Sequence, residues 1–181
     1  MNLIHLIQLI IRTVRIRLIC PFMNIRMASG ACDISLDTRI YGRNGYVSLG
    51  KRVKTSRNVT LVAVDGSVDV GDDCSFSGGS TVVAHERIII ENRCMFGPGV
   101  KIYDHDHLYD ERGVLAEGYK TAAVRIGEKS WIGANSVILK GTDIGEGCII
   151  GAGTVVKGII PPHSIVTNSR ELIIRPIRRE E

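Results

Sequence analysis

A step of six residues runs through the second half of the chain and constrains the fold more than any other feature. The branched aliphatic residues that mark this step are Ile126, Ile132, Ile138, Ile144, Ile150 and Val156. Glycine follows four of them, and a small residue stands four places after each of the first five, at Ser130, Ser136, Thr142, Cys148 and Thr154. Neither an α-helix, with about 3.6 residues per turn, nor a simple strand, with a period of about two, produces this spacing.

Each unit of six suits a short strand followed by a corner. The aliphatic anchor points inward, and the glycine and small positions let the backbone turn sharply without a clash. Three such units close a triangular coil, and successive coils join through parallel ladders about 4.8 Å apart. The sequence therefore predicts an all-β solenoid in which Ile126 stacks on Ile144 and Ile132 stacks on Ile150.

The same step appears upstream, in two runs that are out of phase by two residues. The runs are Val70, Phe76 and Val82, followed by Ile90, Phe96 and Ile102. A small corner bulge in the sequence AHERI, residues 84–88, would account for the shift. A weaker version of the pattern begins near Leu49, so the repeat is predicted over about residues 45–160.

The composition indicates one compact domain in a reducing compartment. A chain of 181 residues with 44% hydrophobic content can bury a single core. The five cysteines are an odd number without a CxxC pair, and Cys74, Cys94 and Cys148 occupy the small-residue position of the repeat. We expect them to be buried filler rather than nucleophiles. The net charge of +4 is mild and the basic residues are scattered, which argues against nucleic-acid binding.

Residues 1–20 have the pattern of an amphipathic helix. One side gathers His5, Gln8, Arg12 and Arg15, and the other carries Leu3, Ile4, Ile7, Ile10, Ile11, Val14 and Leu18. The segment lacks the roughly 20 nearly uncharged residues of a membrane span, and its basic residues follow the apolar stretch, unlike those of a secretory signal. Two roles stay open: the helix caps the domain or packs on a neighbouring subunit, or it lies on a lipid surface.

The run IGEKSWIGANSVILKGTDIGEGCIIGAGTVVKGIIPPHSIV, residues 126–166, resembles the hexapeptide-repeat acyltransferases. Within that family the chain is most similar to sugar O-acetyltransferases of the maltose and galactoside type and to their relatives in capsule and lipopolysaccharide gene clusters. The resemblance implies a left-handed parallel β-helix, a homotrimer, and acetyl-CoA bound in a groove between protomers. It implies acetyl transfer to a hydroxyl of a sugar or polysaccharide precursor, with N-acetylation of an amino sugar as an alternative.

The catalytic loop of such enzymes begins with a pattern like GVxLYxxxHP. The matching residues here are Gly99, Val100, Ile102, Tyr103 and His107, and Leu108 stands where proline is usual. The resemblance therefore assigns His107 as the general base, with His105 as the alternative. A neutral imidazole can remove the proton of an alcohol near neutral pH. We expect direct transfer in a ternary complex, because no serine or cysteine has a plausible base beside it.

The six-residue step stops at Ile102 and resumes at Ile126, which predicts an aperiodic excursion loop over residues 103–125. Asp104 and His105 are predicted to contact the acceptor. The sequence leaves open whether the aspartates of this loop orient an imidazole, favour its charged form or bind the sugar. Trp131 is predicted to line the acceptor or cofactor groove, with a place in a subunit interface as the alternative.

Family position assigns the remaining contacts to the acyl donor, acetyl-CoA. Gly133 and Ala134 would offer backbone N–H groups to the thioester oxygen, unless they are ordinary corner residues. Ala152, Lys157 and Arg175 fall where the family meets coenzyme A, although Arg175 could equally belong to a solvated tail. The sequence TNSRELI, residues 167–173, departs from the usual AGxPA pattern. No metal ion is expected.

These expectations divide the chain into an amphipathic helix over residues 1–26, a β-helix domain over residues 27–165 and a basic segment over residues 166–181. A cytoplasmic location is expected, at the inner face of the membrane if the helix binds lipid. Two rival functions use the same scaffold. One is a trimeric zinc carbonic anhydrase built on His85, His105 and His107, which lack the usual ligand spacing, and the other is a non-catalytic β-helix.

Overall fold

The computed structural model describes residues 3–168, which begin with one helix and continue as short strands. Helix α1 spans Leu3–Ile19, and a short 3-10 turn at Cys20–Met23 leads into the first strand. Twenty of the strands that follow form three parallel sheets, which we name the first, second and third walls.

The chain passes through the three walls in turn, so that each wall collects one strand from each coil. The first wall contains β1 (Ile25–Met27), β4 (Tyr46–Leu49), β7 (Ser67–Val70), β10 (Arg87–Ile90), β15 (Val124–Ile126), β18 (Asp143–Ile144) and β21 (Ile159–Ile160). The second wall contains β2 (Asp33–Ile34), β5 (Lys54–Thr55), β8 (Ser75–Phe76), β11 (Met95–Phe96), β16 (Trp131–Ile132), β19 (Ile149–Ile150) and β22 (Ile165–Val166). The third wall contains β3 (Arg39–Arg43), β6 (Thr60–Val64), β9 (Thr81–Ala84), β12 (Lys101–Tyr103), β17 (Val137–Ile138) and β20 (Val155–Val156).

The register between coils matches the predicted stacking. Ile126 pairs with Ile144 and Ile132 pairs with Ile150, in both cases through parallel strands. All four side chains are buried inside the prism. The fold class predicted from the sequence, an all-β parallel β-helix with an N-terminal helix and an extruded segment, is therefore confirmed.

The corners depend on residues that bring two coils into backbone contact. A Cβ atom on Gly97 would lie 2.6 Å from the backbone nitrogen of Ala134, one coil above, so the close approach admits only glycine without a shift of the backbone. Asn135 adopts a positive φ of 56° at the same corner, a conformation that asparagine tolerates better than most residues. Corner geometry thus explains why glycine and asparagine follow the aliphatic anchors.

The solenoid begins earlier than the sequence pattern predicted. Parallel pairing starts at Ile25, which lies beside Val47, whereas the six-residue pattern was traced only from about residue 45. The early coils are longer: Leu49 pairs with Val70, 21 positions later, because corners such as Asp65–Gly66 contain extra residues. These insertions shift the phase of the anchors and hide the period. The predicted corner bulge in residues 84–88 is confirmed, since His85 and Glu86 form the turn between β9 and β10.

The extruded segment differs from the aperiodic loop that the sequence predicted. It is an antiparallel hairpin of β13 (His105–Asp110) and β14 (Gly113–Thr121), in which His105 pairs with Thr121 and His107 with Tyr119. A register shift between His107 and Tyr109 disturbs the ladder. This bulge, together with exposure on both faces of β14, removes the simple alternation that would have indicated two strands.

The cysteines have the structural role that their position in the repeat predicted. All five are free thiols and all are buried. Cys74, Cys94 and Cys148 have no exposed surface and point into the core beside the aliphatic anchors. The prediction of small buried filler is confirmed.

Candidate active site at the base of the hairpin

The hairpin leaves the prism at the corner between the third and first walls, after β12 and before β15. His105 and His107 are two positions apart on β13 and therefore project from the same face of that strand. Both rings contact Tyr119 of the opposite strand, with centroid separations of 5.1 Å for His105 and 5.0 Å for His107. The rigid coil thus fixes the start of β13, and the hairpin holds two imidazoles around one phenol ring.

Asp104 is a buried carboxylate that organises this corner. Its two oxygens accept hydrogen bonds from the backbone N–H groups of His85 and Glu86, each at 2.8 Å. The Nδ1 atom of His105 lies 3.1 Å from Oδ1 of the same carboxylate. Of the three roles that the sequence left open for the aspartates, the geometry of Asp104 supports orientation of an imidazole, that of His105.

His85 packs against the same group of rings. Its ring centroid lies 4.2 Å from that of His105 and 3.9 Å from that of Tyr119. Burial, followed by the nearby His105, lowers the pKa of His85 below its usual value. The corner bulge that shifts the repeat therefore also places His85 beneath the hairpin, where its surroundings favour the neutral imidazole.

We expect acidification to destabilise this corner through His85. Because the pKa of His85 is lowered in the folded chain, the unfolded chain binds more protons as the pH falls through about 6.5, and this favours unfolding. Between about pH 7 and about pH 5.5, the melting temperature should fall further in the unaltered chain than in the variant His85→Gln. Thermal melts of both proteins measure the difference, and an equal fall in both would contradict the assignment.

His107 is exposed and lines a cavity of about 430 Å³ between the hairpin and the coils. The other lining residues are Asp106, Leu108, Tyr109, Lys120, Lys140 and Lys157. Three lysines face one aspartate in this cavity, so it favours an anionic group. Lys157 was predicted from the sequence as a coenzyme A contact, whereas Lys120 and Lys140 were missed.

An ion pair joins the hairpin to the prism inside this cavity. The Nζ atom of Lys140 lies 2.9 Å from Oδ2 of Asp106, and only 11% of the lysine side chain is exposed. Lys140 and Lys157 occupy the same corner in successive coils, after β17 and β20. That repetition at one corner is the sequence signal that could have drawn attention to Lys140.

The residues predicted to bind the acyl donor lie at another corner of the prism. Gly133 and Ala134 follow β16 and stand over Ala152, whose backbone nitrogen lies 2.6 Å from the place a Cβ on Gly133 would occupy. No acceptor for the Ala134 or Ala152 amide is found within residues 3–168. Trp131 is about half exposed on the second wall.

One chain therefore gathers the predicted residues into two separate groups. Asp104, His105, His107 and Lys157 lie near the corner between the third and first walls, while the others lie at or beside the corner between the second and third walls. Arg175, also predicted to contact coenzyme A, lies outside the described residues.

His85, His105 and His107 do not form a metal site within one chain. Over residues 3–168, no group of three or more histidine, cysteine, aspartate or glutamate side chains is arranged to hold a metal ion. His85 and His105 instead pack edge to face. The carbonic anhydrase alternative gains no support from this geometry.

Comparison with known proteins places the repeat in a recognised group. Residues 123–158 match the family described as bacterial transferase hexapeptide (six repeats). A probable acetyltransferase of Mycobacterium tuberculosis is 29% identical over 131 residues, which cover 71% of this chain and 44% of that protein. This chain spans less than half the length of the first curated relatives that it matches.

Two further similarities extend along most of the chain. A putative lipopolysaccharide biosynthesis O-acetyl transferase of Escherichia coli, WbbJ, is 24% identical over 175 residues, covering 91% of this chain and 89% of that protein. The crystal structure of AntD, an N-acyltransferase from Bacillus cereus in complex with dTDP and 3-hydroxybutyryl-CoA, superposes with a TM-score of 0.69 at 21% identity, covering 83% and 81% of the two chains. Residues 123–158 carry the hexapeptide repeat of the bacterial transferase family, which confirms the resemblance that the sequence motifs predicted.

Proposed function

We propose that this protein is an acetyltransferase that moves the acetyl group of acetyl-CoA to a hydroxyl of a sugar or polysaccharide precursor. The observation that carries the proposal is the position of His107, exposed on a hairpin that the coil holds rigidly, beside a cavity rich in lysine. The similarity to a putative O-acetyl transferase along most of the chain supports the same reaction.

In this reaction His107 acts as the general base. Its neutral imidazole takes the proton from the acceptor hydroxyl as the oxygen attacks the thioester carbonyl carbon. A C–O bond forms, the negative charge moves to the carbonyl oxygen, and a backbone N–H such as that of Ala134 stabilises that charge. The C–S bond then breaks, and the leaving thiolate takes the proton from the imidazolium. Acceptor and acetyl-CoA must be bound together, because the step uses no acyl-enzyme.

A homotrimer would bring the two separated groups of residues together. The corner with His107 and Lys157 and the corner with Ala134 and Ala152 lie on different edges of one prism. When prisms associate side by side, one edge of a chain faces another edge of its neighbour, and both groups then line a single groove. We place acetyl-CoA in that groove, with Trp131 at its side. Its phosphates meet Lys157 and the cavity lysines, which carry the opposite charge.

Acylation of an amino sugar is the second candidate function. The specific observation in its favour is the superposition with AntD, which is an N-acyltransferase and was crystallised with a nucleoside diphosphate and an acyl-CoA. Both reactions use the same base and the same thioester, and differ only in the acceptor atom. A screen of nucleotide sugars with hydroxyl or amino groups, scored by thiol release from acetyl-CoA, distinguishes them.

Acetyl-CoA is expected to raise the melting temperature of the full chain. A ligand that binds only the folded state at about 100 times its Kd adds about 2.7 kcal/mol of stability. Lys157→Ala should reduce the shift while leaving the melting temperature of the free protein unchanged, because that side chain is exposed. Lys54→Ala, an exposed lysine on the second wall, is the matched control and should keep the full shift.

The same measurement separates an enzyme from a non-catalytic scaffold. A scaffold gives no stabilisation at any soluble concentration of acetyl-CoA, and that result would contradict the proposed function. A full shift in Lys157→Ala would leave the function standing and remove Lys157 from the donor site.

A further inference from the structure

Helix α1 packs on the first coil through the side opposite its main apolar face. The Nη1 atom of Arg12 lies 2.6 Å from Oδ1 of Asp33, and the Thr13 hydroxyl donates to the carbonyl oxygen of Cys32 at 3.1 Å. Arg17 donates to the carbonyl oxygen of Gly30 at 2.9 Å. Ile16, only 5% exposed, joins the end of the hydrophobic core between these contacts. The helix therefore caps the open end of the β-helix without using its main apolar face.

That apolar face points away from the domain. Its members recur at helical spacing and are Ile7, Ile10, Ile11, Val14 and Leu18, each 47–68% exposed. We name these five residues the outward stripe. Phe22 continues it beyond the helix and is 89% exposed. Single exposed aliphatic residues are common on soluble proteins, whereas a contiguous stripe marks a surface that binds a partner.

The charges around the outward stripe favour one kind of partner. Residues 1–32 contain no aspartate or glutamate and four arginines. Arg12 is paired with Asp33, whereas Arg15 and Arg17 are exposed and form no ion pair within the described residues; Arg17 donates only to backbone carbonyl oxygens of the first coil. Basic residues that border the apolar face of a helix are typical of helices that lie on anionic lipid.

A second copy of the chain related by a two-fold axis fits this surface less well, and the side-by-side contact of the proposed homotrimer uses the edges of the prism rather than its capped end. In a two-fold contact the same patch meets itself, so Arg15 and Arg17 would face identical arginines with no acid in the segment to compensate. An anionic bilayer receives the stripe in its interfacial region and pairs the arginines with headgroups. No helix within residues 3–168 is long and apolar enough to cross a membrane, so the contact would lie along the surface.

We propose that the outward stripe of α1 and its flanking arginines bind the surface of an anionic lipid bilayer. The cap on the β-helix fixes the direction in which the stripe points. The capped end of the prism would therefore face the membrane. This proposal does not depend on the acetyltransferase function.

Vesicle sedimentation of the full chain tests this proposal. The protein is expected to sediment with vesicles that contain phosphatidylglycerol and not with vesicles of phosphatidylcholine alone, and added salt should weaken the binding. The triple variant Ile10→Ser, Ile11→Ser, Val14→Ser should reduce binding at least about tenfold, because the apolar area that enters the interface is lost. The matched control is the double variant Ile159→Ser, Ile165→Ser, which changes two aliphatic residues of the last coil that are even more exposed than the stripe. It should bind the vesicles as strongly as the unaltered protein does.

A second variant keeps the test decisive if the triple variant folds poorly. Arg15→Glu leaves the apolar stripe intact, removes one positive charge beside it and is expected to weaken binding to the anionic vesicles. Equal binding to both kinds of vesicle, or unchanged binding by Arg15→Glu and the triple variant, would overturn the proposal. So would a triple variant with a lower molecular mass in analytical ultracentrifugation, which would make the stripe a contact between copies of the chain.

Discussion

Replacing His107 with alanine is expected to lower the turnover number by about 10²–10⁴-fold, the usual contribution of a general base. The KM for acetyl-CoA should change little, since in the proposed reaction the imidazole acts on the acceptor proton rather than on the coenzyme. Thiol release from acetyl-CoA, followed with a panel of nucleotide sugars and polysaccharide fragments, measures both constants. Melting temperature and molecular mass should match those of the unaltered protein, because the side chain is exposed.

Two further histidines act as comparisons in this experiment. His163→Ala changes an exposed histidine of the last coils and should leave turnover unchanged. His105→Ala should lower turnover less than His107→Ala does if His105 only packs beside the base and takes no part in proton transfer. If His105→Ala lowers turnover more than His107→Ala, the base is His105. Its Nδ1 is hydrogen-bonded to Asp104, as in many catalytic acid–histidine pairs. Full activity in both variants would exclude a histidine base at the hairpin.

The core of this fold could be predicted from the sequence because one physical requirement repeats in every coil. Ile126, Ile132 and Ile138 are each buried at the equivalent position on one of the three sides of a triangular coil, and the six-residue step follows directly from that requirement. The earlier coils were traced less completely. Insertions at corners such as Asp65–Gly66 change the spacing along the chain without changing the stacking of Leu49 on Val70. The sequence interval between two anchors therefore changes with each insertion, whereas their pairing in adjacent coils does not.

The site was predictable in part for the same reason. His107 could be selected as the candidate base because it follows the last regular anchor, Ile102, and matches a family motif, and the structure places it beside a cavity. The link from Asp104 to the amide groups of the His85 corner joins residues 18–19 positions apart in different coils, and no local pattern reports it. The ion pair between Asp106 and Lys140 depends in the same way on how the hairpin folds back.

Helix α1 shows what sequence periodicity does not determine. The amphipathic pattern predicted a helix over residues 1–20, and α1 spans Leu3–Ile19. The pattern did not predict which side faces the domain. Arg12 and Thr13 find partners in the first coil, at Asp33 and Cys32, and these specific polar contacts set the orientation. Tertiary hydrogen bonds can thus direct the apolar side of a helix outward.

Replacing Asp104 with alanine is expected to lower the free energy of unfolding by about 2–4 kcal/mol. The carboxylate has no exposed surface and satisfies the amide groups of His85 and Glu86 as well as the His105 imidazole. Alanine would leave these donors without an acceptor, except where water enters the partly exposed corner. Chemical denaturation measures the loss.

Two other aspartate variants separate the role of this carboxylate from a general effect of lost charge. Asp104→Asn keeps one acceptor oxygen and should fall between alanine and the native residue, because its amide group cannot accept the second backbone N–H. Asp110→Ala removes an exposed aspartate that accepts a hydrogen bond from the Arg112 amide at the hairpin turn, and should cost less than about 1 kcal/mol. If Asp104→Ala is as stable as Asp110→Ala, the buried carboxylate does not hold the corner. His105 would then be positioned by its packing against His85 and Tyr119 alone.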